Sequence, residues 1–282
     1  MKEKTLGIIG NGFVGNAIYQ NFKDSHRILI YDKDESRSTT DNVREVCHKT
    51  DIIFVALPTP MYENGRCDLS IILNVMAQIS YWYKDNIVII KSTVPPGSCE
   101  SIKKRFPTIR LVFSPEFLTE RNAVEDFRTC NRVIFGGEIE DIWQCVELFK
   151  LQFPDKAYLT TDWKTAEMVK YFLNTFLATK VSFANEIYQV CKAIDVSYDE
   201  VLNLALYDKR LTPTHFLVPG PDGQLGFGGV CFPKDLNAFI NFCGENNVDP
   251  TVLTEVWNKN LLVRKNCEWL ALEGRAISKK EK

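Results

Sequence analysis

The chain has 282 residues, enough for two domains with sizeable cores. A formal net charge of −2 and 45% hydrophobic residues describe an ordinary globular protein, with no electrostatic pull towards nucleic acid or an anionic lipid surface. Nine cysteines, odd in number and scattered without a Cys-x-x-Cys pair, suggest neither a disulfide framework nor a zinc centre, and free thiols point to a reducing compartment.

The apolar run after Lys4 is broken by Gly7, Gly10 and Gly12, so it does not read as a signal peptide, and no stretch approaches membrane-spanning length. The expectation is a cytoplasmic protein that binds neither nucleic acid nor membrane. His26, His48 and His215 stand apart, so no metal site is expected. The short Lys279-Lys280 tail reads as a solvated end.

Thr5-Leu6-Gly7-Ile8-Ile9 is a short buried strand. It runs into Gly10-Asn11-Gly12-Phe13-Val14-Gly15, and a helical pattern follows through Phe22. Arg27-Ile28-Leu29-Ile30-Tyr31 is a second strand, ending at Asp32. Strand, G-x-G-x-x-G, helix, strand and acid is the order of a dinucleotide-binding unit. The glycines permit a tight turn and close approach of a pyrophosphate, and helix N–H groups hold its charge. Asp32 would accept hydrogen bonds from ribose hydroxyls and repel a 2′-phosphate, which favours NAD over NADP.

The alternation continues with strands over 51–56, 86–90, 110–113 and 132–135 and a helix over 69–83. Continuous apolar strands between helices imply a parallel sheet covered on both faces. Asp32, Thr59, Ser92, Thr93 and Glu116 each come just after a strand ends. In an open parallel sheet those positions share one edge, where ligands bind.

Residues 162 to about 194 contain no proline or glycine and predict one long helix. From Met168 to Ala178 it is apolar almost all round, as a buried helix is, yet Lys170 and Asn174 sit four apart on one face. A buried amine needs a partner or a polar cleft, so this pair reads as the wall of a site. Helices are expected over 236–243 and 252–272, after a proline- and glycine-rich loop over 208–226. The fold class expected is therefore α/β: a Rossmann-like parallel sheet over 1–160, then a mostly helical central domain with a long helix over 161–282.

The loop leads into Gly226-Phe227-Gly228-Gly229-Val230-Cys231-Phe232-Pro233-Lys234-Asp235. Glycines let backbone approach a ligand closely. A thiol with Lys234 nearby can be held as thiolate, its nucleophilic form. A one-step alcohol dehydrogenase needs a base and a cofactor but no thiol. A thiol becomes useful when an aldehyde must be held covalently and oxidised again.

These runs, with Leu57-Pro58-Thr59-Pro60, Lys91-Ser92-Thr93-Val94-Pro95-Pro96-Gly97 and Ser114-Pro115-Glu116-Phe117-Leu118-Thr119-Glu120, resemble the UDP-glucose/GDP-mannose dehydrogenase family in type and order. The resemblance implies NAD-dependent, four-electron oxidation of a sugar-nucleotide primary alcohol to a carboxylate, of the UDP-glucose to UDP-glucuronate type. It implies Cys231 as nucleophile, Lys170 and Asn174 as oxyanion stabilisers, and Asp235 as the carboxylate that assists proton transfer with a water. Thr93 and Glu116 would flank the nicotinamide and the reactive carbon. Gly10, Gly12, Phe13, Val14, Gly15, Asp32, Thr59, Thr93 and Glu120 would bind the cofactor. Glu116, Phe117, Leu118, Lys170, Asn174, Arg210, Phe227 and Gly228 would contact the nucleotide-sugar substrate, Arg210 reaching across a subunit interface. A homodimer through the helical domain is implied as well. The family's third, nucleotide-binding domain has no counterpart before Lys282, residues 221–225 look inserted, and Arg121 stands where the family often has glycine. Two other readings of the same residues stay open: a single-hydride 3-hydroxyacid-type dehydrogenase, and a non-catalytic NAD-binding remnant.

Overall fold

The computed structural model describes residues 4–279, so Lys280 of the expected solvated tail lies outside the described residues, while Lys279 is exposed. Among the described residues, seven strands form one sheet in the order β2-β1-β3-β4-β5-β6-β7. They are β1 (Leu6–Ile9), β2 (Ile28–Tyr31), β3 (Ile52–Val55), β4 (Ile87–Ile90), β5 (Arg110–Phe113), β6 (Arg132–Gly137) and β7 (Ala157–Thr161). The first five are parallel. Two features depart from the expected all-parallel sheet: β6 runs antiparallel to β5, and β7 adds a further strand parallel to β6. The short helix α5 (Ala123–Thr129) lies between β5 and β6. The β7 segment Ala157-Tyr158-Leu159-Thr160-Thr161 is half exposed at the sheet edge and lacks the apolar run that marks a buried strand.

Each apolar strand has two buried faces, and alternate residues enter different cores. Ile8, Phe54, Ile89 and Val112 pack with α1 (Phe13–Phe22), α5 and α6 (Ile139–Gln152). Ile9, Val55, Ile90 and Phe113 pack with α2 (Val43–Lys49), α3 (Ser70–Trp82) and α4 (Ser98–Arg105). This is a doubly wound α/β layer arrangement. Strand order reverses at β1, so the C-terminal ends of β1 and β3 diverge and form the crevice where such sheets take ligands.

The chain divides into two compact units. The first runs to Thr59 and resumes at Leu69–Lys170; the second comprises Pro60–Asp68 and the chain from Tyr171 onward. The helix α7 (Trp163–Ala193), 31 residues long, contributes to both. The second unit adds α8 (Tyr198–Ala205), α9 (Cys231–Glu245) and α10 (Thr251–Val263). Its packing centres on Tyr171 stacked on Phe239 and on Ala178, Phe227, Leu236 and Val256. Pro60–Asp68 joins this unit through Met61, whose N–H donates to Ala276 O at 2.9 Å and whose carbonyl accepts from Ser278 N–H at 2.8 Å.

Two helix boundaries differ from expectation. α9 begins at Cys231 and not at 236, because Pro233 in its first turn costs no intrahelical hydrogen bond. α10 stops at Val263, so 252–272 is not one helix. Arg264 turns to extended backbone, and the chain folds back so that Asn266 O and Glu268 meet its buried guanidinium.

Candidate active site

The turn after β1 is shaped by three glycines with different duties. Gly10 has φ +93°, and a Cβ on it would lie 2.4 Å from the Ala56 carbonyl oxygen at the end of β3. A Cβ on Gly15 would lie 2.1 Å from Gly10 O, so helix α1 can sit against the turn only without a side chain there. A Cβ on Gly12 would meet nothing within 4 Å, so this position keeps open space in front of the helix. No side chain caps α1. The first-turn N–H groups of Phe13, Val14 and Gly15 therefore face whatever occupies that space.

Asp32 lies beside the turn, its Oδ2 accepting Asn11 N–H at 2.6 Å and its Oδ1 accepting Asp34 N–H at 2.9 Å. Asn11 Oδ1 is buried without a hydrogen-bond partner, an acceptor waiting for a donor. Phe13 and Asn16 line an open cavity of about 390 Å³ together with Glu120 and Arg121. A cradle that a Cβ would fill, an uncapped helix start and a carboxylate at the next strand end fit a dinucleotide with free ribose hydroxyls.

Further along the strand ends, Thr59 and Thr93 are buried, and Ser92 Oγ accepts Leu57 N–H at 2.9 Å, tying the β3 loop to the β4 loop. Glu116 and Lys170 form a buried ion pair. Lys170 Nζ donates to Glu116 Oε1 and to Glu116 O, both at 2.8 Å, and their side chains are 4% and 6% exposed. The Phe117 ring centroid lies 5.8 Å from the ammonium, and Leu118 N–H donates to Glu116 Oε2 at 2.7 Å. Burial opposes ionisation of Glu116, but the Lys170 ammonium, its hydrogen bond and the Leu118 N–H outweigh it and hold the carboxyl below its ordinary range.

In the second unit, Cys231 is the first residue of α9, where the helix dipole favours a thiolate. Asp235 sits one turn on, on the same face, and is almost wholly buried. It accepts Asn174 Nδ2 at 2.6 Å on one oxygen and the Lys234 ammonium on the other. Burial works against the Lys234 charge, yet the Asp235 carboxylate and the nearby Cys231 sulfur raise its pKa above the ordinary lysine value. A cation that stays protonated beside Cys231 is what a low-energy thiolate needs.

The glycine run is held by residues that sequence reasoning missed. Gly226 N–H donates to Asn185 Oδ1 at 3.0 Å. Asn260 reads both backbone groups of Phe227, accepting its N–H at 2.7 Å and donating to its carbonyl at 3.0 Å. Gly229 N–H donates to Glu268 Oε1 at 2.9 Å, and Glu268 is paired with the buried Arg264 at 2.6 Å. A Cβ on Gly228 would lie 2.0 Å from Glu268 Oε1, so this glycine permits the clamp. Lys91 was also missed: it is buried, donates to Ser114 Oγ at 3.0 Å and to Pro115 O at 3.3 Å, and aligns the segment that carries Glu116. Burial pulls its pKa down to about 8. A lysine inside an otherwise unremarkable strand end was the available signal. Arg210 is not gathered with these groups; it is exposed and forks onto Asp208, two residues away.

Comparison with known proteins places both halves of the chain. Residues 33–150 match the NAD binding domain of the UDP-glucose/GDP-mannose dehydrogenase family, and residues 164–261 match the central domain of the same family. The first match begins just past Asp32, so the glycine turn rests on its own geometry. A UDP-glucose 6-dehydrogenase of Rickettsia bellii is 32% identical across 90% of this chain and 66% of its own length. One from Pseudomonas aeruginosa is 34% identical across 83% of this chain and 53% of its own. The chain thus spans between about half and two thirds of these relatives. The solved UDP-glucose dehydrogenase of the hyperthermophilic archaeon Pyrobaculum islandicum superimposes with a TM-score of 0.83 at 28% identity, over 92% of this chain and 68% of that one. A 3-hydroxyisobutyrate dehydrogenase of Mycobacterium tuberculosis shares the fold at a TM-score of 0.75 and 13% identity.

Proposed function

The chain belongs to the UDP-glucose/GDP-mannose dehydrogenase family, and from that premise we propose that it oxidises the primary alcohol of a nucleotide sugar, UDP-glucose first among them, to a carboxylate through a thioester on Cys231. The observation that carries the reading is the buried Asn174–Asp235–Lys234 array around the helix start that bears Cys231. NAD, when bound, supplies the hydride acceptor, one molecule for each of the two oxidations. The first oxidation removes a hydrogen with its electron pair from the alcohol carbon and the proton from its hydroxyl, leaving an aldehyde; the Cys231 thiolate adds to the aldehyde carbon, forming a C–S bond and an alkoxide that is protonated to a thiohemiacetal. The second oxidation removes the carbon-bound hydrogen with its electron pair and the hydroxyl proton, leaving a thioester. Water then adds, the C–S bond breaks, and the thiol and carboxylate are released. Lys170 and Asn174 stabilise the successive oxyanions, a role worth about 3–4 kcal/mol per donor in comparable sites. Asp235 receives the proton from the attacking water. Glu116 sets the position of the Lys170 ammonium, and Thr93 lines the same strand-end edge. Arg210 is proposed to contact substrate from a neighbouring subunit.

Phe172, Phe176, Phe183 and Val190 are exposed along α7, and Ile194 just past its end. We propose that a second copy of the chain covers this stripe in a homodimer, since a 31-residue helix does not leave such rings to water without cost. Light scattering on the wild type and on Phe176→Glu checks this: a dimer is expected for the first and a monomer for the second.

The reaction is tested by incubating the chain with NAD and, in turn, UDP-glucose, UDP-N-acetylmannosamine and GDP-mannose, following NADH absorbance. Turnover with one of them, lost in Cys231→Ser while NAD binding persists, is the expected result. Wild-type turnover by Cys231→Ala removes the thioester step.

A further inference from the structure

Gly97 is the N-cap of α4 and has no side chain to cap it. The cap comes from α7. Glu167 Oε2 accepts Gly97 N–H at 2.6 Å, and Glu167 Oε1 accepts Cys99 N–H at 2.8 Å. The residue is 0% exposed. Only an ionised carboxylate satisfies two N–H donors with both oxygens, because a carboxylic acid turns one oxygen into a donor. The positive end of the α4 dipole favours the same charged form. Burial acts against it and pushes the Glu167 carboxyl up to about 7. The titratable groups around it are the Cys99 thiol and Glu100 from α4 and Lys164 from α7, the last two paired with each other at 3.1 Å.

This carboxylate joins two segments that each carry a residue of the proposed chemistry. Gly97 closes the loop that contains Thr93, and Glu167 stands one turn before Lys170 on α7. We infer that Glu167 is a positioning residue, whose carboxylate locks the 92–97 loop to α7 so that Thr93 and Lys170 keep a fixed register. The inference rests on the roles given above to Thr93 and Lys170.

Two measurements on the full chain test it. First, at pH 8 the protection factors of the Gly97 and Cys99 amides against hydrogen exchange are expected to be about tenfold higher in the wild type than in Glu167→Gln, the value of one charge-assisted hydrogen bond. Second, Glu167→Gln is expected to oxidise nucleotide sugar about tenfold more slowly in kcat, with the KM for NAD unchanged. Equal protection in the two proteins overturns the lock, and wild-type amides at Gly97 and Cys99 that exchange without protection overturn it even if the variant fails to fold. A Glu167→Gln enzyme that keeps the wild-type kcat overturns it as well. A protection difference in a chain that turns over no nucleotide sugar supports the lock and defeats the functional reading instead.

Discussion

Replacing Glu116 by Gln removes one charge from a buried pair and leaves its shape. The Lys170 ammonium would then keep the Glu116 carbonyl at 2.8 Å and the Phe117 ring at 5.8 Å but lose the Glu116 carboxylate. Orphaning one member of a buried ion pair costs about 3–5 kcal/mol. Lysine can escape part of this by losing its proton, and neutralising an amine of ordinary pKa at pH 7 itself costs about 4–5 kcal/mol, so that figure is a ceiling. The remaining carbonyl and ring offset some of the loss, and a destabilisation of about 3 kcal/mol is expected. Denaturant unfolding at pH 7, with an unchanged slope, measures it. Glu116→Gln combined with Lys170→Met should recover most of the loss, because both charges of the pair are then removed together. The sign with pH is fixed by the depressed carboxyl: the pair's contribution is complete above the unfolded glutamate value of 4.5 and disappears as pH falls through the lower folded value. A loss below about 1 kcal/mol at pH 7, or a double variant no more stable than the single one, would refute the burial argument.

Three further outcomes follow from the same geometry. Gly12→Ala should fold normally and weaken NAD binding, since its Cβ enters only the open space before α1, whereas Gly15→Ala should destabilise the fold itself; calorimetry and NAD titration separate the two. Glu167, whose folded carboxyl is raised from 4.5 to about 7, lends stability that is fully present below pH 4.5 and is lost as pH rises through 7. That difference amounts to about 3 kcal/mol, and Glu167→Gln should flatten the corresponding slope of unfolding free energy against pH. Asn260→Ala strips both hydrogen bonds from Phe227 and should cost about 2 kcal/mol of stability while lowering the alkylation rate of Cys231, read by iodoacetamide labelling.

The first unit was largely legible because its signals are local. Short runs such as Ile52-Ile53-Phe54-Val55 are apolar on both faces, and the glycine turn with Asp32 is contiguous in the chain. The β7 strand was not legible, since an edge strand that buries little has no apolar signature. The membership of Pro60–Asp68 in the second unit was hidden for a different reason: it depends on hydrogen bonds between Met61 and residues more than two hundred positions away. The side chains proposed to carry the chemistry were visible as polar residues in apolar surroundings, Lys170 and Asn174 above all. Their supports were not. Asn185, Asn260 and Glu268 act on backbone N–H groups of a distant glycine run, and a sequence shows such residues only as ordinary polar positions on helices or loops.

Counting NADH against nucleotide sugar consumed puts the thiol chemistry to the most direct trial. Two NADH formed per sugar, with an acyl group trapped on Cys231 when hydrolysis is quenched with acid, is the outcome expected of a chain that oxidises an alcohol to a carboxylate through that sulfur. One NADH per sugar, with an aldehyde or ketone released and Cys231 unmodified, would mean that the thiol is a bystander and that the enzyme stops after a single oxidation.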